Sequence, residues 1–300
     1  MANTFVVSSN PSKPLLNVWP VWKGEQRPVK QTLPGIATAL AVSNDAHGAV
    51  VAVAVNEVIY IWMAASGELA NVISSGGHYQ KVTGMSFTPD SSQLVSVGAD
   101  GNVLVWTTAN LVGCGSGQAA PKPLRTWSNH SLEVTGHAVT ASRVYTCSLD
   151  QTAKIHELAS GDLLLDVTFA VPLTAIAVDS LEANVYVGSK NGDIHTFSLR
   201  SPPRDLNMTV KPDKTNTYKG HTKPVKCLSV SVSGHIMASG SDDFDVRIWD
   251  IKSGLSLRTL PHKGAMTNVK FQPVVRGKVV MGVILALHNR RTEFWIFGSL

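Results

Sequence analysis

GHTKPVKCLSVSVSGHIMASGSDDFDVRIWD, residues 220–250, is the stretch on which the fold turns. Three short runs within it alternate apolar with small or polar residues, and they begin at Val225, Ile236 and Asp245. A period of two is the pattern of a half-buried strand, and Ser233-Gly234 and Asp242-Asp243 between the runs are turn formers. A fourth run starts after Ser253-Gly254. Residues 225–231, 236–241, 245–251 and 256–260 therefore read as strands a, b, c and d of one antiparallel sheet.

Working outward from Trp249, the same block recurs. Val58-Ile59-Tyr60-Ile61-Trp62, Val103-Leu104-Val105-Trp106, Ala153-Lys154-Ile155-His156 and Ile194-His195-Thr196-Phe197 each end in an aromatic residue or its stand-in. Successive gaps from Trp62 to Trp249 are 44, 50, 41 and 52 residues, with Trp19 lying 43 before and Trp295 lying 46 after. No stretch shows sustained helical periodicity. Four short strands repeated every 40–45 residues make an all-β chain, a β-propeller. The reading gives one domain over 1–300, with five complete blades over about 34–260. Residues 1–33 and 261–300 supply about three strands each, as partial terminal blades. Seven blades fit these counts best, and six with a spare hairpin is the alternative.

Polar residues keep the same beat. His78–Ser96–Asp100–Trp106, His130–Thr146–Asp150–His156 and His221–Ser239–Asp243–Trp249 each place Asp four residues after Ser or Thr and six before the strand c aromatic position. A buried imidazole and carboxylate have to be paired, so each set is expected to form a hydrogen-bonded network that fixes strand register. The Trp62 unit has Asn56 and Ala52 at the matching places, and the Phe197 unit has Asn191 and Val187. Those units must rely on apolar packing.

Composition bounds the rest. At 44% hydrophobic and 16% charged, 300 residues can bury a sizeable core, which excludes collagenous, disulfide-framework and wholly disordered chains. Cys114, Cys147 and Cys227 lie far apart with no CxxC, as expected in a reducing compartment. The first ten residues lack a signal-peptide pattern, and the most apolar run, 279–287, is short for a membrane helix. A soluble intracellular protein is expected. The net charge of +5 hides an asymmetry: residues 200–300 hold 16 Lys/Arg against 7 Asp/Glu. A basic third could meet RNA or an acidic partner. Arg204, Lys211, Lys214, Lys219, Lys223 and Lys226 are the candidate contacts, several of them in the long connection 200–219. A second long connection spans 111–123.

Catalysis is not expected. The Ser/His/Asp sets are repeated, whereas an enzyme needs one exposed nucleophile with its base. The remaining histidines show no metal-ligand spacing, and Gly113-Cys114-Gly115-Ser116-Gly117 lacks the residues of a phosphate-binding loop. Neither a metal nor a cofactor is implied.

Gly77-His78, Gly220-His221 and Trp249-Asp250 resemble the Gly-His and Trp-Asp dipeptides of the WD-repeat family, whose blades carry such a network. Other blocks resemble a narrower group. They include His78-Tyr79-Gln80-x-Val82 with Phe87-Thr88-x-Asp90-Ser91-Ser92, and Ser148-Leu149-Asp150-Gln151-Thr152-x-Lys154 with Ser160-Gly161-Asp162-Leu163-Leu164-Leu165. Lys219-Gly220-His221 with Val225-x-Cys227-Leu228-Ser229-Val230-Ser231 is a third. Over most of 50–270 the chain is similar to the WD-repeat subunit of the rixosome, a nuclear complex of large ribosomal subunit maturation. The resemblance implies a non-enzymatic scaffold in nucleolus and nucleoplasm, needed for processing the internal transcribed spacer of pre-ribosomal RNA. Implied partners are helical-repeat scaffold subunits, a midasin-type remodelling ATPase and the pre-60S particle; direct rRNA contact is a separate reading, compatible with these, that rests on the basic region 200–300. At its ends the chain departs from that group, starting about one blade late and stopping before the helical extension used for self-association. The alternative is a substrate receptor of a cullin-type ubiquitin ligase, a group that commonly carries Trp-Asp-x-Arg. Here Trp249-Asp250-Ile251-Lys252 has Lys in place of Arg.

Overall fold

The computed structural model describes residues 5–10, 13–20, 29–43, 50–64, 66–74, 76–113, 121–200, 206–209, 217–262, 264, 266–276, 279–288 and 291–296. Arg204, Lys211, Lys214 and Cys114 lie outside them. Nearly all regular structure is strand, and the described helix is the six-residue α1 (Thr108–Gly113).

The strands follow the period read from the sequence. β4 (Ala39–Val42), β5 (Val50–Val55), β6 (Val58–Met63) and β7 (Leu69–Ile73) form one sheet in chain order. β8 (Val82–Phe87), β9 (Gln93–Gly98), β10 (Val103–Thr107) and β11 (Arg125–Trp127) form the next. β12 (Val134–Val139), β13 (Arg143–Ser148), β14 (Thr152–Glu157) and β15 (Leu163–Thr168) follow. Then come β16 (Leu173–Val178), β17 (Asn184–Ser189), β18 (Ile194–Ser198) and β20 (Thr217–Tyr218). β21 (Val225–Val230), β22 (Ile236–Ser241), β23 (Asp245–Asp250) and β24 (Ser256–Pro261) make the sheet around Trp249. Three-stranded sheets stand at the ends: β1 (Phe5–Asn10), β2 (Lys13–Pro20) and β3 (Val29–Thr32), then β25 (Met266–Arg276), β26 (Val279–His288) and β27 (Arg291–Ile296). Small antiparallel sheets of this kind are the blades of a β-propeller.

One strand was not expected. β19 (Asn207–Thr209), inside the connection 200–219, adds to the outer edge of β15 as a parallel fifth strand, with Asp166 opposite Asn207 and Thr168 opposite Thr209. Three residues without alternation carry no strand signal in the sequence.

The described residues divide into two compact units, and the division runs through the β12–β15 sheet. In the first, Val53, Ile59, Ile61, Ile73, Leu94 and Trp106 are buried core. In the second, Tyr145, Leu173, Val187, Ala238 and Trp249 are. Burial within a sheet grades from strand b to strand d. β5 is buried at every position, whereas β24 is exposed at all but Leu260. The middle strand is covered on both faces and the outer one on neither, so VVAVAV has no polar alternation to show.

A threonine near the start of strand a links successive sheets. Thr83 Oγ1 donates to Val134 O at 2.5 Å within the first unit. Thr135 Oγ1 donates to Leu173 O at 2.9 Å and Thr174 Oγ1 to Val225 O at 2.6 Å within the second. Strand a carries a bulge at Thr83 and Thr174, which turns those residues out of the ladder toward the neighbouring strand. Lys226 occupies the matching place in β21 and pairs with Asp242 instead, at 3.6 Å. Thr174→Val should cost about 1–3 kcal/mol in urea unfolding, because a buried carbonyl loses its donor while the side-chain shape is kept. An unchanged midpoint would show that these bonds contribute nothing.

Candidate functional site: buried histidine networks and an exposed turn

Two of the three polar sets close as complete networks. His78 Nδ1 lies 3.1 Å from both Asp100 oxygens, His78 Nε2 is 2.9 Å from Ser96 Oγ, and Trp106 Nε1 donates to Ser96 Oγ at 3.0 Å. In the other sheet His221 Nδ1 is 2.9 Å from Asp243 Oδ2, and Nε2 is 2.7 Å from Ser239 Oγ. There the indole of Trp249 donates to Ser239 Oγ at 2.8 Å. One proton arrangement fits both: Trp N–H to Ser oxygen, Ser O–H to His Nε2, and His Nδ1–H to the carboxylate. Backbone amides complete the anion. Asp243 accepts from the N–H groups of Thr222 and Asp245, and Asp100 from those of Tyr79 and Asn102.

The third set is split between the units, with His130 in one and Thr146, Asp150 and His156 in the other. All four are at least partly buried. Asp150 accepts from the Thr152 amide at 2.9 Å and the Thr152 hydroxyl at 2.6 Å.

Burial raises the Asp243 and Asp100 carboxyls, yet the histidine and amide bonds outweigh it and hold both below the ordinary value of 3.8. Burial holds the His221 imidazole below its ordinary 6.5, against the upward pull of Asp243. Ser96 and Ser239 have no exposed surface, and each already bonds His and Trp. Neither is placed to attack a substrate. Burial likewise pushes the Cys147 and Cys227 thiols up to about 12. Among the described residues no three His, Cys, Asp or Glu side chains converge as metal ligands.

The family known as WD domain, G-beta repeat matches residues 69–107 and 212–250, each of which contains one complete network. The chain carries WD repeats. It is 35% identical over 275 residues to WD repeat-containing protein 18 of Danio rerio, covering 90% of this chain and 63% of that protein. The human protein of that name is 35% identical over 270 residues, covering 88% of this chain and 61% of the relative. The pre-rRNA-processing protein pro-1 of Caenorhabditis elegans is 27% identical over 278 residues, covering 89% of this chain and 51% of the relative. The chain thus spans between half and two thirds of the length of these relatives.

Other functional-looking groups gave no signal to sequence reading. Lys154 and Asp166, opposite each other on β14 and β15, form a largely buried ion pair. Arg125, on β11, donates to the carbonyls of Leu158, Ala159 and Ser160. The turn between strands b and c carries a further pattern. The amides of Gly101, Gly192 and Phe244 donate to the residue three before, and all three, like Gln151, have positive φ. A Cβ on Gly101 would lie 2.5 Å from His130 O, and one on Gly192 would lie 2.5 Å from His221 O. At the matching place Phe244 holds φ 71° with its ring 44% exposed, in a conformation costing a non-glycine residue on the order of 1 kcal/mol. Of the basic candidates, Lys219, Lys223 and Lys226 are exposed close to this turn, and Lys223 Nζ sits 5.3 Å from the Phe244 ring centroid.

Two outcomes follow. Asp243→Ala should destabilise the protein by roughly 1–3 kcal/mol for each partner left without an acceptor, read by urea unfolding. Unfolded imidazole takes up a proton below pH 6.5 and folded His221 only at lower pH, so stability should fall as pH drops from 6.5 through the folded value. A second loss should begin below 3.8, where unfolded carboxylates protonate before Asp100 and Asp243 do. His221→Gln should flatten the first descent in a pH series of thermal midpoints, and an unaltered descent would assign it elsewhere.

Proposed function

We propose that the chain is a non-catalytic scaffold subunit of a nuclear, rixosome-like complex, acting in spacer processing of pre-rRNA and in large ribosomal subunit maturation. The observation that carries the reading is the alignment with pre-rRNA-processing protein pro-1 over 89% of this chain, beside the 35% identity to WD repeat-containing protein 18. The site agrees with it: side chains that resemble catalytic sets are spent inside the sheets, and what the fold offers to other molecules is turns. On this reading residues 1–300 are one propeller domain. Its partners are helical-repeat scaffold subunits, a midasin-type remodelling ATPase and the pre-60S particle, in nucleolus and nucleoplasm.

Affinity purification of the tagged protein from nuclear extract, followed by mass spectrometry, tests this. Large-subunit ribosomal proteins and helical scaffold subunits should co-purify, and depletion should lead to accumulation of spacer-containing pre-rRNA. Cullin-ligase components recovered without pre-ribosomal proteins would overturn the reading in favour of a ubiquitin-ligase substrate receptor.

A further inference from the structure

In the second unit three segments come together at one end of the β16–β20 and β21–β24 sheets. A Cβ on Gly192 would touch the carbonyls of His221 and Lys223, so the turn 190–193 lies against the loop 219–224. That loop is tied to the turn 242–245, where the Asp242 amide donates to Pro224 O and Ser241 Oγ to Lys223 O. Lys190, Lys219 and Lys223 are exposed on the first two of these segments, and Phe244 stands on the third with Lys223 Nζ 5.3 Å from its ring centroid. The acidic groups present are Asp193, Asp242, Asp243 and Asp245. Asp243 is in the histidine network, Asp242 pairs with Lys226, and Asp193 and Asp245 are half-buried.

Phe244 is the feature that folding does not account for. Equivalent turns use glycine at positions 101 and 192, the residue suited to left-handed backbone, and the polar Gln151 in the third; here a large apolar residue takes that conformation while remaining 44% exposed. Strain kept at an exposed position points to recognition. An aromatic plane flanked by ammonium groups is the combination that binds single-stranded nucleic acid, since bases stack on the plane and phosphates meet the cations.

We propose that Phe244, with Lys190, Lys219 and Lys223, forms a landing surface for single-stranded RNA. A base stacks on the exposed part of the ring, which Lys223 orients from one face, and the lysines neutralise backbone phosphates. An aromatic anchor for a protein partner would not call for cations on two separate segments beside it, whereas a strand of phosphates does. This inference stands on the turn and does not rest on the ribosome-assembly reading, so either can fail without the other.

The test is fluorescence anisotropy of a labelled twelve-nucleotide oligo(U) with the full chain. Binding should be measurable at 50 mM salt and weaken about 20-fold at 200 mM, as three phosphate contacts require for a single strand. Phe244→Gly should weaken it by about fivefold or more, with a thermal midpoint unchanged or raised because glycine suits this backbone. Phe244→Asn provides a second substitution that tolerates positive φ, as Asn56 does at 53°. Lys219→Gln combined with Lys223→Gln should lower the salt slope by about 1.4. Absence of oligo(U) binding at 50 mM, or full affinity in both Phe244 variants, would overturn the proposal. So would competition by an oligo-glutamate peptide as strong as that by unlabelled oligo(U), which would assign the surface to an acidic protein.

Discussion

The Asp243 carboxylate is withdrawn from water, and it remains ionised because its oxygens are filled from two directions. His221 and the Thr222 amide reach it from the loop entering the sheet, and the Asp245 amide reaches it from the turn it sits in. The imidazole then carries the connection to Ser239 on strand b and to the Trp249 indole on strand c. A single buried anion thereby aligns the incoming loop, the b–c turn and two strands. That matters because a small sheet can slip by one residue, and such a slip would exchange its buried and exposed faces. Asp100 does the same with His78, Ser96 and Trp106, so the constraint is built twice with nearly the same distances.

Sheets that lack the network show what it is for. Around Trp62 the places of Ser and Asp hold Ala52 and Asn56, yet β5 is buried throughout and Ile59, Ile61 and Ile73 are completely covered. Around Phe197, Val187 is completely buried, and Tyr186, Tyr218 and Trp249 form a run of aromatic contacts 5.8–6.4 Å apart. Apolar packing replaces an ionic network without loss of the four-stranded form, as expected when buried polar groups specify geometry more than they add stability. The two segments matching the repeat family each contain a full network, so the sequence signature there follows the polar groups, and it passes over the sheets around Trp62 and Phe197.

This also explains what could be read in advance. Strands b and c around Trp249 were legible almost to the residue, because alternation and turn formers agree there: residues 236–241 and 245–251 were expected, and Ile236–Ser241 and Asp245–Asp250 are found. The terminal three-strand groups were legible for the same reason. β19 was not, since a three-residue parallel strand is created by the edge it joins. Lys154 reads as a solvated charge until the opposing Asp166 is placed across the ladder. The threonine bonds had a signal that went unread: Thr83, Thr135 and Thr174 each stand at the second residue of strand a. A side chain is visible in advance where it recurs at a fixed place in the repeat, and a single pair such as Lys154 and Asp166 becomes visible only once the opposing strand is placed.

A frame fixed this tightly restricts where variation can serve recognition. At Gly101 and Gly192 the carbonyl of the adjoining loop is so near that no side chain can be carried, whatever a partner requires. At Gln151 and Phe244 the same turn does carry one, and both are exposed. The turns are therefore not equivalent as display positions, even though their backbones are. Gly101 and Gly192 are closed to a side chain by the carbonyls of His130 and His221. The loop that delivers His221 to its network thus also closes the turn at Gly192 to display.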